Sequence, residues 1–146
     1  MPIRLVAIDL DGTLLNRRSE VSPANCQALQ AAAARGVKIA VVTGRRAQSA
    51  RRYVAQIPCP VTLISSNGAL ITSASGEVLH RSFLACPVAR HVLEVTHEYR
   101  PYAAAIYERP GRGQVVLQDE AVPEGPLGWY LAQSPDALHQ VPNLVR

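Results

Sequence analysis

Three short apolar segments alternate with two longer amphipathic segments over the first half of the chain. The apolar segments cover residues 3–8, 37–43 and 61–65 and are rich in valine, isoleucine and alanine. That composition is typical of strands buried on both faces of a parallel sheet. Strands that alternate with helix-length segments also favour right-handed crossovers. The pattern therefore predicts an α/β fold whose first strand, running up to Asp9, is buried on both faces.

Helix boundary signals flank the two amphipathic segments. Ser22 and Pro23 are typical of an N-cap and a first helical residue, and Gly36 stands where a left-handed C-cap belongs. The second segment predicts a helix over 46–57, because the proline at position 58 cannot continue it. Each predicted helix lies between two consecutive strands, as a crossover helix does.

The pattern changes after the third strand. A hairpin is predicted with strands over 69–72 and 77–81. A helix is predicted over 87–100, and two further strands over 103–107 and 114–118. No element is assigned to 120–128, which is rich in proline and glycine, or to the ambiguous segment 131–146. The shift in composition predicts two domains, a core over residues 1–80 and an α/β insert over residues 81–146.

The composition is that of an ordinary globular domain, with 146 residues of which 48% are hydrophobic and 18% charged. No apolar run reaches membrane-spanning length and no signal-peptide pattern is present, so we expect a cytoplasmic protein without a membrane partner. The three cysteines form no C-x-x-C pair. This spacing argues against a zinc site or a disulfide framework and favours reduced, mostly buried thiols.

The net charge of +4 comes almost entirely from arginine, and Lys38 is the one lysine. A modest positive field favours an anionic small substrate, although a solvated basic surface explains the charge equally well. With one phenylalanine and one tryptophan, the chain offers no aromatic platform for single strands. We therefore expect no nucleic-acid partner.

A small polar cluster follows each of the three predicted parallel strands. Asp9 and Asp11 end the first strand, residues 43–45 the second and residues 66–68 the third. Ligands of such sheets bind outside the carboxyl ends of the strands, where the three clusters would converge. Two carboxylates ~4 Å apart repel by roughly 4 kcal/mol at an effective dielectric of ~20, and Mg²⁺ would offset that repulsion. The alternative is an ordinary Asp-Gly turn at positions 11 and 12.

These clusters have the components of phosphoryl transfer. An aspartate beside a metal can attack phosphorus, and a second acid can protonate the leaving oxygen and later activate water. Backbone N–H groups after Asp9 and around Gly44, together with the Thr43 hydroxyl, can donate hydrogen bonds to phosphate oxygens.

The same residues carry a family resemblance. Residues 9–13 read D-L-D-G-T and match the D-x-D-G-T signature of the haloacid dehalogenase (HAD) superfamily of phosphatases. Residues 43–45, T-G-R, are similar to its second motif, and residues 64–69, followed by a hairpin, resemble its Cof-type branch. The resemblance implies a HAD-like, Rossmann-like parallel sheet core, here incomplete, followed by part of an α+β cap. It also implies a Mg²⁺-dependent phosphatase acting on a small, sugar phosphate-like metabolite.

The resemblance assigns the chemical roles residue by residue. Asp9 is expected to be the nucleophile and a Mg²⁺ ligand. Asp11 is expected to be the general acid/base and to bind Mg²⁺ through its backbone carbonyl as well.

The phosphate contacts come from three other positions. The Leu10 N–H group, Thr43 and Gly44 are expected to hold the phosphate. Arg45 and Asn67 are weaker candidates for positioning the substrate or the cap, and an ordinary surface role explains Arg45 about as well.

Two later motifs of the family have no match. The family pattern continues with a basic residue on a later core helix and a G-D-x-x-N-D-type loop, and neither Lys38 nor Asp119, Glu120 or Asp136 has the required context. We therefore expect the N-terminal part of a phosphatase, inactive by itself, whose partner is a missing C-terminal portion or a second copy. The alternatives are a non-catalytic phosphate-binding module or subunit, and a phosphomutase of the same superfamily.

Overall fold

The chain forms two compact units, Met1–Phe83 and Leu84–Arg146. The computed structural model describes residues 2–109, 113–122, 124–132 and 138–145. The division falls close to the domain boundary predicted after residue 80.

Unit 1 is an α/β structure built on a single five-stranded sheet. Its strands, in chain order and also in spatial order, are β1 (Leu5–Asp9), β2 (Lys38–Val42), β3 (Val61–Ser65), β4 (Leu70–Thr72) and β5 (Val78–Arg81). The pairs β1–β2 and β2–β3 are parallel, and β4 and β5 add an antiparallel hairpin. Two helices, α1 (Pro23–Ala34) and α2 (Ala47–Val54), connect the parallel strands. The predicted α/β class and the parallel sheet are confirmed.

One face of this sheet forms the hydrophobic core with the two helices. Ile39 and Val41 of β2 and Val61 and Leu63 of β3 alternate along their strands, so they point to the same face. They pack with buried residues of the helices and of the first turn, including Leu10, Leu14, Leu29, Ala47, Ala50 and Tyr53. Each large aliphatic side chain buried in this way contributes about 1.5–3 kcal/mol.

The prediction that β1 is buried on both faces is wrong. Its residues alternate between exposed and half-buried, Leu5 is 56% exposed, and Ile3 just before it is 73% exposed. In the part of the chain that the structure describes, β1 pairs with β2 alone and forms one edge of the sheet. The apolar composition of a central strand is therefore found here on an edge strand.

The first helix begins as its boundary signals predict. The Ser22 side-chain oxygen accepts a hydrogen bond from the Asn25 backbone N–H group at 3.1 Å, and Pro23 is the first helical residue. Gly36, with φ of +81°, follows the end of the helix. That left-handed conformation costs glycine little, because it has no Cβ.

The second helix is shorter than predicted. It ends at Val54, and the N–H groups of Gln56 and Ile57 bond to carbonyls three residues earlier, so the chain tightens into turns. Ile57 still packs in the core, which is why the apolar spacing extended the prediction that far.

Unit 2 is a smaller α+β unit with a three-stranded sheet. Its elements are α3 (Cys86–Val95), β6 (Ala105–Ile106), β7 (Val115–Gln118), α4 (Gly125–Ala132) and β8 (Leu138–Val141), and its strand order is β6-β7-β8. The helix predicted over 87–100 ends at Val95 and gives way to a tighter helical turn, His97–Tyr102, which contains Pro101. α4 and β8 lie largely in segments for which no element was predicted. α4 packs against Val115 and Leu117, and β8 pairs with β7.

The three cysteines differ in exposure. Cys26 and Cys59 are half-buried and free, whereas Cys86 is exposed, so the prediction of burial is wrong for Cys86.

Among the residues described, no helix combines the length and the apolar character that crossing a bilayer requires.

We expect Ser22→Ala to lower the free energy of unfolding by about 1 kcal/mol, because the Asn25 N–H group loses its acceptor. Urea unfolding followed by circular dichroism measures the change. Ser82→Ala, at an exposed position after β5, is the matched control and should stay within about 0.5 kcal/mol of the parent. Equal losses in the two variants would contradict the capping role.

Candidate active site

The candidate site lies at the carboxyl ends of β1, β2 and β3. Asp9, the last residue of β1, is paired in register with Val42, the last residue of β2. The next residue, Thr43, donates its backbone N–H group to the Ile64 carbonyl of β3 at 2.9 Å. The parallel register therefore brings the ends of all three strands to the same edge of the sheet.

The segment that follows β1 is a single wide turn over residues 10–14. The Leu15 N–H group closes it on the Leu10 carbonyl at 2.9 Å, and Gly12 adopts a left-handed φ of +77° at its centre. The Leu10 and Leu14 side chains are buried and anchor the two ends of the turn. Asp11 lies between these anchors and is exposed, as is Asp9 two residues before it.

Arg45, in the loop after β2, forms a bidentate ion pair with Asp11. Its Nε and Nη2 atoms donate to Asp11 Oδ2 and Oδ1, each at 2.7 Å. The Arg45 side chain is 13% exposed and the Asp11 side chain 51%. These hydrogen bonds lower the pKa of the Asp11 carboxyl and raise the pKa of Arg45 from their ordinary values, against a smaller opposing effect of burial. The sequence suggested a substrate role for Arg45, and the structure places it on the second carboxylate.

Thr43 is the buried member of the site. Its hydroxyl accepts a hydrogen bond from the Arg45 backbone N–H group at 3.1 Å, which shapes the turn after β2. A hydroxyl that accepts one hydrogen bond keeps its own proton as a donor. Thr43 can therefore still donate to an anion at this edge.

The turn after β3 closes against this loop. Ser66, Asn67 and Gly68 all have left-handed φ values, of 51°, 55° and 92°. For a residue with a side chain this conformation costs about 1–2 kcal/mol. Contacts to the β2 loop offset the cost, since Ser66 N–H donates to the Arg45 carbonyl at 2.9 Å and Asn67 N–H to the Thr43 carbonyl at 3.3 Å.

The Asn67 side chain approaches Gly44 closely. A Cβ atom at position 44 would lie 2.9 Å from Asn67 Oδ1, and all three of its nearest neighbours belong to the Asn67 side chain. Asn67 thus lies beside the loop to which the sequence assigned phosphate binding.

The donor set at this edge is one of hard oxygen atoms. Mg²⁺ suits one or two carboxylates completed by water and phosphate oxygens, so the aspartates at positions 9 and 11 fit that ion. Since Arg45 occupies both carboxylate oxygens of Asp11, the Asp9 carboxylate and a backbone carbonyl are the better donors. Within the described ranges, no cluster of three or more His, Cys, Asp or Glu side chains is arranged to hold a metal.

Tyr53 was missed by the sequence analysis. The ring of this α2 residue lies under the Arg45 guanidinium, with Cζ 5.0 Å from the ring centroid. Its position three residues after Ala50 is a helical spacing that could have indicated a core residue. No pattern in the sequence indicated that an arginine from the preceding loop would fold back over it.

We expect Gly44→Ala to cost about 1–3 kcal/mol of unfolding free energy, because the new Cβ meets the Asn67 amide. In an Asn67→Gly background most of that cost should disappear, since the obstructing atoms are gone and glycine adopts a left-handed φ freely. Thermal or urea unfolding of the four proteins of the cycle measures the coupling. Additive losses would show that the Gly44–Asn67 contact does not constrain the loop.

We expect the stabilising effect of Arg45 to depend on pH. At pH 7 without metal, Arg45→Gln should lower the free energy of unfolding by up to about 1 kcal/mol. Because the pKa of Asp11 is lowered in the folded state, this contribution is fully present above about pH 4, the ordinary pKa of an unfolded aspartate. It is lost as the pH falls through the lower folded-state pKa.

Urea unfolding at pH 7 and pH 3 tests this dependence. Arg18→Gln is the matched control, because Arg18 pairs with Glu20 at 3.8 Å on the exposed surface and should contribute little at either pH. A loss from Arg45→Gln that is equal at both pH values would assign its stabilising effect to packing alone.

The sequence comparisons agree with this geometry. A profile of haloacid dehalogenase-like hydrolases matches residues 6–121. The chain is 30% identical to phosphatase YwpJ of Bacillus subtilis strain 168 over 122 residues, which is 81% of this chain and 43% of that protein. It is 36% identical to the HMP-PP phosphatase of Cronobacter sakazakii over 117 residues, 80% of this chain and 42% of that protein. It thus spans less than half the length of these curated relatives.

Solved structures show the same fold. A haloacid dehalogenase-like hydrolase from B. subtilis superposes with a TM-score of 0.74 at 22% identity, covering 97% of this chain and 55% of the other. A second such hydrolase, from Bacteroides thetaiotaomicron, gives 0.75 at 18% identity, covering 99% and 53%. Because the family profile matches most of its residues, this chain belongs to the haloacid dehalogenase-like hydrolases.

Proposed function

We propose that this chain carries the nucleophile and the phosphate loop of a Mg²⁺-dependent phosphatase that hydrolyses a small phosphorylated metabolite. One observation supports the proposal above the others. The parallel register and the Arg45 bridge bring Asp9, Asp11 and the Thr43–Arg45 loop to one edge of the sheet. A nucleophile, an acid/base and hydrogen-bond donors are the groups that phosphoryl transfer requires.

In the first step, an Asp9 carboxylate oxygen attacks phosphorus in line with the ester oxygen. The new O–P bond forms as the bond to the leaving alkoxide breaks. Asp11, which takes up a proton on one oxygen while Arg45 keeps the other, gives that proton to the alkoxide. The product alcohol leaves, and an aspartyl-phosphate remains on Asp9.

In the second step, Asp11, now a carboxylate, takes a proton from water as that water attacks phosphorus. The Asp9–phosphorus bond breaks, inorganic phosphate is released, and both carboxyl groups return to their starting states. The hydroxyl of Thr43 and the N–H groups of Leu10 and Gly44 hold the phosphoryl oxygens throughout. Asp9 and the Asp11 backbone carbonyl would hold Mg²⁺, which would supply charge that offsets the repulsion between carboxylate and phosphate.

The names of the relatives favour a metabolite substrate. They include HMP-PP phosphatases and a 5-amino-6-(5-phospho-D-ribitylamino)uracil phosphatase of B. subtilis. We propose a substrate of that size and charge for this chain, and a cytoplasmic location, where such metabolites occur. We propose that residues 81–146 are part of a cap insert that selects the leaving group.

We further propose that these residues supply only part of the site. Among the residues that the structure describes, the edge position of β1, with Leu5 exposed, leaves an unpaired strand edge and an uncovered apolar face. A further segment would cover both and bring the basic residue and the acidic loop that the family pattern includes, whereas a second copy would cover the edge and the face only.

Phosphate release from a panel of sugar phosphates and HMP-PP, with Mg²⁺ or with EDTA, tests the proposed function. The panel is run on this chain and on a version extended through the later motifs. We expect Mg²⁺-dependent release in the extended version and its loss in Asp9→Asn. We expect Asp11→Asn to lower kcat by about 10²- to 10⁴-fold.

Asp119→Asn, which removes an exposed carboxylate of unit 2, is the matched control and should leave kcat unchanged. Hydrolysis that survives Asp9→Asn would overturn the role of the nucleophile, and full activity of the short chain would overturn its incompleteness. Fluorine NMR with beryllium fluoride and Mg²⁺ distinguishes the enzyme from a non-catalytic phosphate-binding module. An adduct on Asp9 supports the enzyme, and phosphate binding without an adduct supports a binding module.

A further inference from the structure

Tyr53 is a buried aromatic residue directly beneath the candidate site. It is 4% exposed and belongs to the core of unit 1, in contact with the sheet face that α1 and α2 cover. Two guanidinium groups approach its ring. The Cζ atom of Arg45 lies 5.0 Å from the ring centroid, and that of Arg52 lies 4.7 Å away.

The tyrosine hydroxyl is also held in place. Arg52 Nη2 donates a hydrogen bond to Tyr53 Oη at 2.6 Å. Core packing fixes the body of the ring and this hydrogen bond fixes its tip, so the ring offers Arg45 a rigid face. A cation over an aromatic face is attracted by the ring quadrupole, and more strongly where the cation is shielded from water, as Arg45 is.

The Asp11 carboxylate depends on such support. It is half exposed, stands on a turn that only its ends anchor, and is held across the site by a long arginine side chain. A free arginine loses much rotamer entropy when it is fixed in one geometry. A guanidinium already stacked on a buried ring has lost that freedom, so it can keep both oxygens of Asp11 in one orientation.

We propose that Tyr53 is a positioning residue: its buried ring fixes the Arg45 guanidinium, which in turn fixes the orientation of the Asp11 carboxylate at the candidate active site. The chain of contacts runs from helix α2 through Tyr53 and Arg45 to Asp11. The importance of Asp11 for catalysis rests on the proposed function, whereas the mechanical link does not. The two are therefore tested separately.

The mechanical link is tested by NMR on the chain labelled with ¹⁵N-arginine, without metal. We expect the Arg45 Nε–H signal to persist against solvent exchange and to show a nuclear Overhauser effect to the Tyr53 ring protons. Tyr53→Leu should speed that exchange at least tenfold, while Tyr53→Phe, which keeps the ring, should restore most of the protection. Ile57→Val, a core change in the turns that follow the same helix, is the matched control and should leave the exchange rate unchanged.

Two results would overturn the link: the absence of the Arg45–Tyr53 Overhauser effect in the parent chain, or unchanged exchange in a folded Tyr53→Leu. If Tyr53→Leu fails to fold, the Overhauser effect in the parent decides. Asp11→Asn provides an independent measurement, because loss of the carboxylate should speed Arg45 exchange while the ring contact remains.

The catalytic consequence is tested in the version in which phosphate release is found. We expect Tyr53→Leu to lower kcat by about 5- to 50-fold with KM within twofold, since misplacing a reacting group slows chemistry more than binding. Tyr53→Phe should recover most of the loss. If the parent releases no phosphate and forms no beryllium fluoride adduct, the proposed function fails and the NMR result still decides the link. An intact link with unchanged kcat in Tyr53→Leu would reduce Tyr53 to a purely structural residue.

Discussion

The candidate site depends on the parallel pairing of β1 with β2 and of β2 with β3. Parallel pairing in register fixes both the direction and the offset of each strand, so Asp9 and Thr43 reach the same edge although 33 residues separate them along the chain. A slip of one residue would turn Val6 and Ile8 away from the core. The hydrophobic core therefore stabilises unit 1 and also fixes the positions of the candidate site residues.

The loops at this edge are held by hydrogen bonds to one another. The turn after β3 bonds to the loop after β2 through backbone groups, and Arg45 joins that loop to the turn after β1. Each loop is short, and each is held by its neighbour. These contacts offset the free-energy cost of the left-handed backbone at Ser66 and Asn67. Strained conformations persist at functional sites when the surrounding contacts stabilise them in this way.

The sequence predicted the parts of the structure that follow from local rules. Ser22 and Pro23 predict the start of α1, and alternation of apolar segments predicts the three parallel strands, because these signals lie within a few residues of their effect. The edge position of β1 could not be predicted, since an apolar segment has the same composition wherever its neighbours lie. Nor could the contact of Tyr53 with Arg45 or of Asn67 with Gly44, because each depends on side-chain geometry between segments that only the folded sheet brings together.

The strand order of unit 1 bears on how the candidate site is assembled. Every strand of the five-stranded sheet lies beside its predecessor in the chain, so each new strand finds its place without waiting for a distant partner. Pairing each strand with its predecessor in the chain keeps the closed loops as short as a parallel sheet allows, and shorter loops cost less entropy. The sheet can therefore grow strand by strand as the ribosome extends the chain. Asp9, Asp11 and the arginine that pairs with Asp11 would then be in place before unit 2 is synthesised.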